Sequence, residues 1–224
     1  MMRFFALKKE GNIFTFSKET LLHLKVARIK NEKIICLFEE KFYICHFKDN
    51  VAIIESELKE NHEYENPVII ASAIINTKRF EWLIQKATEL GATDLYPIYT
   101  ENVEQKLGND IQKKVERWNE IAKNSTLQSF RNKIMKVHNP VKFKEILNLK
   151  VKNKFIAHEK EKATNYQYFF PQDSIFLIGP EGGFSNNEIK EAKEHNFEPI
   201  SLGKRILRAE TAPLLILSRI KENI

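Results

Sequence analysis

The sequence predicts an α/β domain built on a mainly parallel sheet, preceded by a smaller β-rich domain. Three observations carry this reading. From Val68 onward, apolar runs alternate with helical periodicity, the pattern of a parallel sheet covered by helices on its faces. Residues 1–60 hold instead short β-branched or aromatic runs separated by polar turns. Between them, the polar stretch 59–67 has the composition of a linker. The expected domains are residues 1–66 and 67–224.

In the first domain, residues 33–38, 42–47 and 51–55 read as strands, and Lys48-Asp49-Asn50 as a turn. A helical turn or two is expected between Ser17 and Arg28, with Leu21, Leu24 and Ala27 on one side. Several short strands and one helix predict a small barrel. In the second domain, residues 68–74 form a continuous apolar strand. A helix capped at Thr77 follows, with Phe80, Leu83, Ile84, Ala87 and Leu90 on one face and Gly91 closing it. Residues 95–99 are the next strand, and 110–126 a helix with an apolar stripe from Ile111 to Ala122. A short strand near Val137, a short helix at 143–147 and a strand at 155–158 come next. The last helix carries Leu214-Leu215-Ile216-Leu217, apolar on more than one side. Such a helix needs two covers, its own sheet and something else, for which a symmetric partner chain is the simplest choice.

Residues 174–212 organise the rest. A strand at 174–178 delivers the chain into Gly179-Pro180-Glu181-Gly182-Gly183-Phe184, and Ser185-Asn186-Asn187-Glu188 has capping-box spacing for the following helix. Residues 199–202 repeat the arrangement as a short strand broken by Gly203, with Lys204 to Pro213 leading into the final helix. Two glycine-bearing loops at strand ends are where an α/β sheet places a ligand. Each also reads as an ordinary turn before a capped helix.

Composition narrows the function class. Of 224 residues, 42% are hydrophobic and 29% charged, as in a soluble globular protein. The longest apolar run, 68–75, is too short to cross a bilayer, and the first residues are too short for a secretory signal, so a cytoplasmic location is expected. Cys36 and Cys45 lie in apolar runs and read as core residues; the six histidines lack metal-site spacing, so no metal is expected. Net charge is +6, and residues 67–172 carry the excess, with 18 basic and 11 acidic side chains. That excess fits either a polyanion-binding face or a lysine-rich solvated surface. No Walker loop, dinucleotide fingerprint, nucleophile elbow or paired-histidine metal motif is present.

Leu177-Ile178-Gly179-Pro180-Glu181-Gly182-Gly183-Phe184-Ser185 and the stretch from Leu202 to Ala212 resemble the two signature loops of the RsmE family, ribosomal small-subunit RNA uridine-N3 methyltransferases of the SPOUT superfamily. The stretch from Lys78 to Gly91 resembles that family's first helix, and Met2-Arg3-Phe4-Phe5 its start. The resemblance covers essentially the whole chain. It implies a PUA-like β-barrel for residues 1–66 and a SPOUT-type parallel sheet with a deep trefoil knot for 67–224, with a homodimer holding the active site at its interface.

By this resemblance, S-adenosylmethionine would be held by Leu177, Gly179, Glu181, Gly182 and Gly183 of the first loop. The second loop would contribute Leu202, Gly203, Ile206, Leu207, Arg208, Thr211 and Ala212. Uridine N3 bears a proton on its pairing edge, so the base must be unpaired and its anionic form favoured. Arg208 is the first candidate for that stabilisation, ahead of Arg205. Glu210 is a candidate to accept a proton or orient Arg208, and reads equally as a carboxylate at a helix N-terminus. Small-subunit ribosomal RNA, naked or within the assembled subunit, would be contacted by Arg3, Arg28, Lys78, Arg79, Gln128 and Arg131. The chain departs from the family pattern at Leu127 and Phe130, where a glutamate and a glycine are usual, and at Asn102, where an arginine is. Alternatives are a ribose 2′-O-methyltransferase of the same fold, a non-catalytic RNA-binding module, and a small-molecule enzyme using the glycine loop for phosphate.

Overall fold

The computed structural model describes residues 1–103, 107–108, 110–159 and 168–222. The chain divides into two compact units, Met1–Glu63 with Thr126–Lys133, and Tyr64–Ser125 with Ile134–Ile224. A boundary at residue 66 therefore leaves out a late segment that belongs to the first unit.

The first unit holds strands β1 (Arg3–Phe5), β2 (Lys8–Glu10) and β3 (Ile13–Thr15), helix α1 (Lys18–Val26), and strands β4 (Glu32–Phe38), β5 (Lys41–Lys48) and β6 (Val51–Leu58). They form one sheet in the order β1-β4-β5-β6-β3-β2. The two edge strands, β1 and β2, are joined by only Ala6 and Leu7, so the sheet must curl until its ends approach. Tight turns at Glu39-Glu40 and Asp49-Asn50 take positive φ at both central residues, the geometry that matches hairpin twist. Phe14, Leu24, Ile34, Cys36 and Cys45 fill the interior. Both thiols are free and fully buried. The Cys45 neighbour and burial push the Cys36 thiol far up, so it stays protonated.

The late segment completes this unit. Phe130 stacks on Phe42 with ring centroids 4.4 Å apart, and Leu127 packs against the same cluster as Ile35, Leu37 and Phe42. The two departures from the family pattern thus fill an apolar niche. The Arg131 guanidinium pairs with Glu63, both buried. Glu63 also accepts from the backbone amides of Asn132 and Lys133 at 2.8 and 3.0 Å.

The second unit is a three-layer sandwich. Its elements are β7 (Val68–Ala73), α2 (Thr77–Glu89), β8 (Asp94–Tyr99), α3 (Ile111–Gln128, whose last residues belong to the first unit), β9 (Lys136–Val137), β10 (Val141–Lys142) and α4 (Phe143–Ile146). Then come β11 (Asn153–Ala157), β12 (Ser174–Ile178), α5 (Asn186–Glu194), β13 (Glu198–Ile200) and α6 (Ala212–Leu217). The strand order is β10-β8-β7-β12-β11-β13, with β9 also on β8. Every pairing in it is parallel.

Alternation along β12 builds both cores. Phe176 and Ile178 face one way, with Phe80 and Leu83 of α2, Trp118 of α3 and Ile216 of α6. Ile175 and Leu177 face the other, with Phe143 of α4 and Ile189 and Ala192 of α5. All residues of β7 and β12 are buried, which is why both read as unbroken apolar runs. The cap of α2 is Asn76 rather than Thr77, its side chain accepting from the Lys78 amide at 3.1 Å. Gly91 closes that helix at φ +90, with the Tyr64 ring where a Cβ would stand. On α6, Ala212, Pro213, Ile216 and Leu217 are buried, so its own unit covers more of this helix than its composition predicts. Among the described residues no helix is long and apolar enough to cross a membrane.

Candidate active site

The carboxyl ends of β11, β12 and β13 open into a pocket of about 390 Å³. This is the strand end at which parallel sheets place ligands, and the volume lies within the range of about 300–1,000 Å³ common to small-molecule sites. The loop after β12 supplies one wall through Gly179, Pro180, Glu181, Gly182 and Gly183. The loop after β13 supplies the other, from Ser201 through Ala209, with Ala212 at the start of α6. The end of β11 adds a floor of Ala157, His158 and Glu159.

Local chemistry fixes the glycine loop. Ser185 and Glu188 form the expected capping box, with hydrogen bonds of 3.1 and 2.9 Å. Glu188 is buried and also accepts from the Glu101 amide at 2.9 Å, tying the loop that follows β8 to α5. Beside it, the Asn102 side-chain amide donates to the carbonyls of Gly182 and Gly183, at 3.3 and 3.1 Å. The family's arginine position is therefore occupied here by a brace for the glycine loop. Gly183 has φ +68, a conformation other residues adopt only with strain. A Cβ there would lie 3.1 Å from the Glu159 carboxylate.

Charges gather at the rim. Glu210 is 9% exposed, and its Oε2 has no hydrogen-bond partner among the described residues. Its Oε1 lies 3.7 Å from Arg79 Nε and 3.9 Å from Arg208 Nη1. Arg208 is 73% exposed, and Ile206 beside it is among the most exposed apolar residues. Arg79 also reaches Glu181, Nη1 to Oε1, at 3.4 Å. At the pocket floor, the buried His158 Nδ1 has no hydrogen-bond partner among the described residues, and the Glu159 carboxylate stands 4.0 Å from it.

Of the residues singled out in sequence, Gly179, Glu181, Gly182, Gly183, Leu202, Gly203, Ile206, Leu207, Arg208 and Ala212 line this pocket together. Leu177 and Thr211 do not: the Leu177 side chain is in the core beneath, and Thr211 is the exposed first cap of α6. Glu210 sits behind the lining, beside Arg79. His158 and Glu159 were missed. They end a strand that the sequence does reveal, and the carboxyl-end rule applied to that strand would have found them.

The residues expected at RNA sort differently. Lys78, Arg28 and Gln128 are exposed. Arg3 is engaged within the first unit, its Nη1 donating to the carbonyls of Leu127 and Gln128 at 2.7 and 2.9 Å, with its guanidinium 4.7 Å from the Phe130 ring centroid. Arg131 is corrected outright: it is 3% exposed and paired with Glu63, so burial removes it from any RNA surface. Several lysines of the charge excess in residues 67–172 stand beside carboxylates, as Lys123 does with Glu120 and Lys144 with Glu191.

Known proteins are similar to this chain along nearly its whole length. Residues 62–221 match the family described as RNA methyltransferase domain. The chain is 43% identical over 224 residues to the ribosomal RNA small subunit methyltransferase E of Mesomycoplasma hyopneumoniae, covering 98% of each chain. It is 34% identical to the Bacillus subtilis protein of the same name, covering 95% of this chain and 91% of that one. The solved structure of the Neisseria gonorrhoeae ribosomal RNA small subunit methyltransferase E, bound to S-adenosyl methionine, is similar at a TM-score of 0.86 and 27% identity, over 97% of this chain and 95% of that one. The family match and these relatives show that the chain belongs to the RsmE family of ribosomal RNA small-subunit methyltransferases.

Proposed function

We propose that this protein methylates N3 of a uridine in small-subunit ribosomal RNA, using S-adenosylmethionine held between the loops after β12 and β13. The observation that carries the reading is the pocket itself, walled by both family loops at the carboxyl ends of adjacent strands. Its residue types suit the cofactor. The glycine loop offers bare backbone for close approach. Glu159 and Glu181 put negative charge beside a cationic ligand, and His158 Nδ1 lies 4.0 Å from the Glu159 carboxylate. When bound, the cofactor supplies a methyl group already activated on a sulfonium.

The chain's own task is then alignment and charge stabilisation. The exposed Arg208 guanidinium at the rim stabilises negative charge on the pyrimidine as the N3 proton passes to solvent water. Glu210, buried behind it, orients that guanidinium. Exposed Lys78, Arg28 and Gln128 contact the RNA, and Arg79 is better placed within the site than on the RNA. The first unit is read as a PUA-like barrel, in keeping with its curled sheet, and the second as a deep trefoil knot. Strand β12 lying between the earlier β7 and β11 is in keeping with such threading. Half-buried Leu214 and Leu215 on α6, and exposed Trp82 on α2 packed against it, support a homodimer; sedimentation at micromolar concentration tests that.

Nucleoside mass spectrometry of ribosomal RNA from cells lacking the gene decides the reaction. Loss of one N3-methyluridine, restored by the wild-type chain, is expected; loss of a ribose-methylated nucleoside would instead identify the 2′-O reaction. Arg208→Ala should lower methyl transfer about 100-fold while RNA binding is retained, a result that a purely RNA-binding module would not give.

A further inference from the structure

We propose that Arg79 is a positioning residue that locks the two loops of the pocket together, holding one carboxylate of each. The functional consequence rests on the cofactor reading above; the tie itself does not. Arg79 sits in the first turn of α2, whose Phe80, Leu83, Ile84 and Ala87 are all fully buried, so its backbone is anchored in the core. From there, Nη1 lies 3.4 Å from Glu181 of the glycine loop and Nε lies 3.7 Å from Glu210 of the loop after β13. A guanidinium presents donors along several edges and serves two carboxylates at once, which a lysine ammonium does far less well.

Glu210 needs such a partner. It is a nearly buried carboxylate with an unpartnered Oε2, and a charge so placed must be compensated. Arg208 also approaches it, but Arg208 belongs to the same loop two residues away, so that contact stays within the loop. Arg79 brings its charge from a different, rigid element. The exposed Glu181 leg alone would add little to stability. Its value is coupling, because displacement of either loop disturbs the group that holds the other. Binding at the glycine loop is thereby transmitted to Glu210 and to the Arg208 beside it.

Hydrogen exchange on the full-length, cofactor-free protein tests the tie. Arg79→Ala should accelerate exchange in both 179–184 and 201–211 beyond any uniform change in the core strands 68–73 and 174–178. Acceleration in one loop alone, or in neither, would overturn it. Calorimetry with S-adenosylmethionine then tests the coupling. Arg79→Ala should weaken binding about five-fold, the size of one partly buried ion pair, and Arg79→Lys should recover only part of that loss. Glu181→Gln should cost far less in the Arg79→Ala background than alone, a non-additivity of about three-fold or more. Additive losses would overturn the coupling, and a fall in RNA affinity with cofactor affinity intact would assign Arg79 to the RNA instead. Failure of the wild-type chain to bind S-adenosylmethionine would sink the cofactor reading and leave the exchange result to judge the tie.

Discussion

Arg131 carries its charge where almost no solvent reaches it, and Glu63 is what makes that tolerable. Breaking a buried pair by removing one partner strands the other. Glu63→Ala should therefore destabilise the protein by about 3 kcal/mol in urea denaturation, and more than Lys123→Ala, whose Glu120 partner is exposed. In the sequence, Arg131 stands among lysines and reads as part of a basic face, because its partner lies 68 positions earlier. Asn102 was illegible for the same reason: it departs from a family arginine, and only the fold brings it to the carbonyls of Gly182 and Gly183. The glycine loops were legible because their chemistry is local. Strand, bend and cap follow one another within a dozen residues, and no distant partner is needed to recognise them.

At the scale of elements, the same contrast separates caps from edges. The capping box of α5 was readable from Ser185 and Glu188 alone, whereas β1, β2 and β3, three residues each, are too short to show an alternating period. The glycine loop has a direct test. Gly183→Ala would place a Cβ 3.1 Å from Glu159 at φ +68, and left-handed backbone costs a non-glycine residue about 1–2 kcal/mol. The expected outcome is a comparable loss of stability by thermal denaturation, together with weakened S-adenosylmethionine binding by calorimetry.

The edge of the second sheet has its own sensitivity to acid. Asp94 opens β8, and His138 follows β9 with its Nε2 2.7 Å from the Asp94 carboxylate. Burial raises the Asp94 carboxyl, but hydrogen bonds with His138 and Thr93 and the nearby charges outweigh it and hold the group below its ordinary value of 3.8. The contribution is therefore complete above that value and is lost as pH falls through the lower folded-state pKa. Asp94→Asn should be less stable than wild type near neutrality, the difference narrowing at the acid end; urea midpoints from pH 7 down to about 2 would reveal it.

For the whole molecule, composition and alternation sufficed to foresee a β-rich unit followed by a parallel α/β unit. The return of Thr126–Lys133 to the first unit could not be foreseen, since Phe130 finds Phe42 only through the complete fold. A fragment ending at residue 66 lacks that ring, Leu127 and the Arg131 partner of Glu63. Such a fragment should show markedly weaker cooperative unfolding by circular dichroism than the corresponding unit in the intact chain.

The path of the backbone also sets a timetable. Because the leading unit borrows its closing piece from beyond residue 125, it cannot finish while its own first 63 residues are alone outside the ribosome. More than half the polypeptide must emerge before Phe42 is covered and Glu63 meets its cation. Until then, the nascent strands present an open apolar seam, and the usual order in which an N-terminal part settles before the next begins gives way to joint completion.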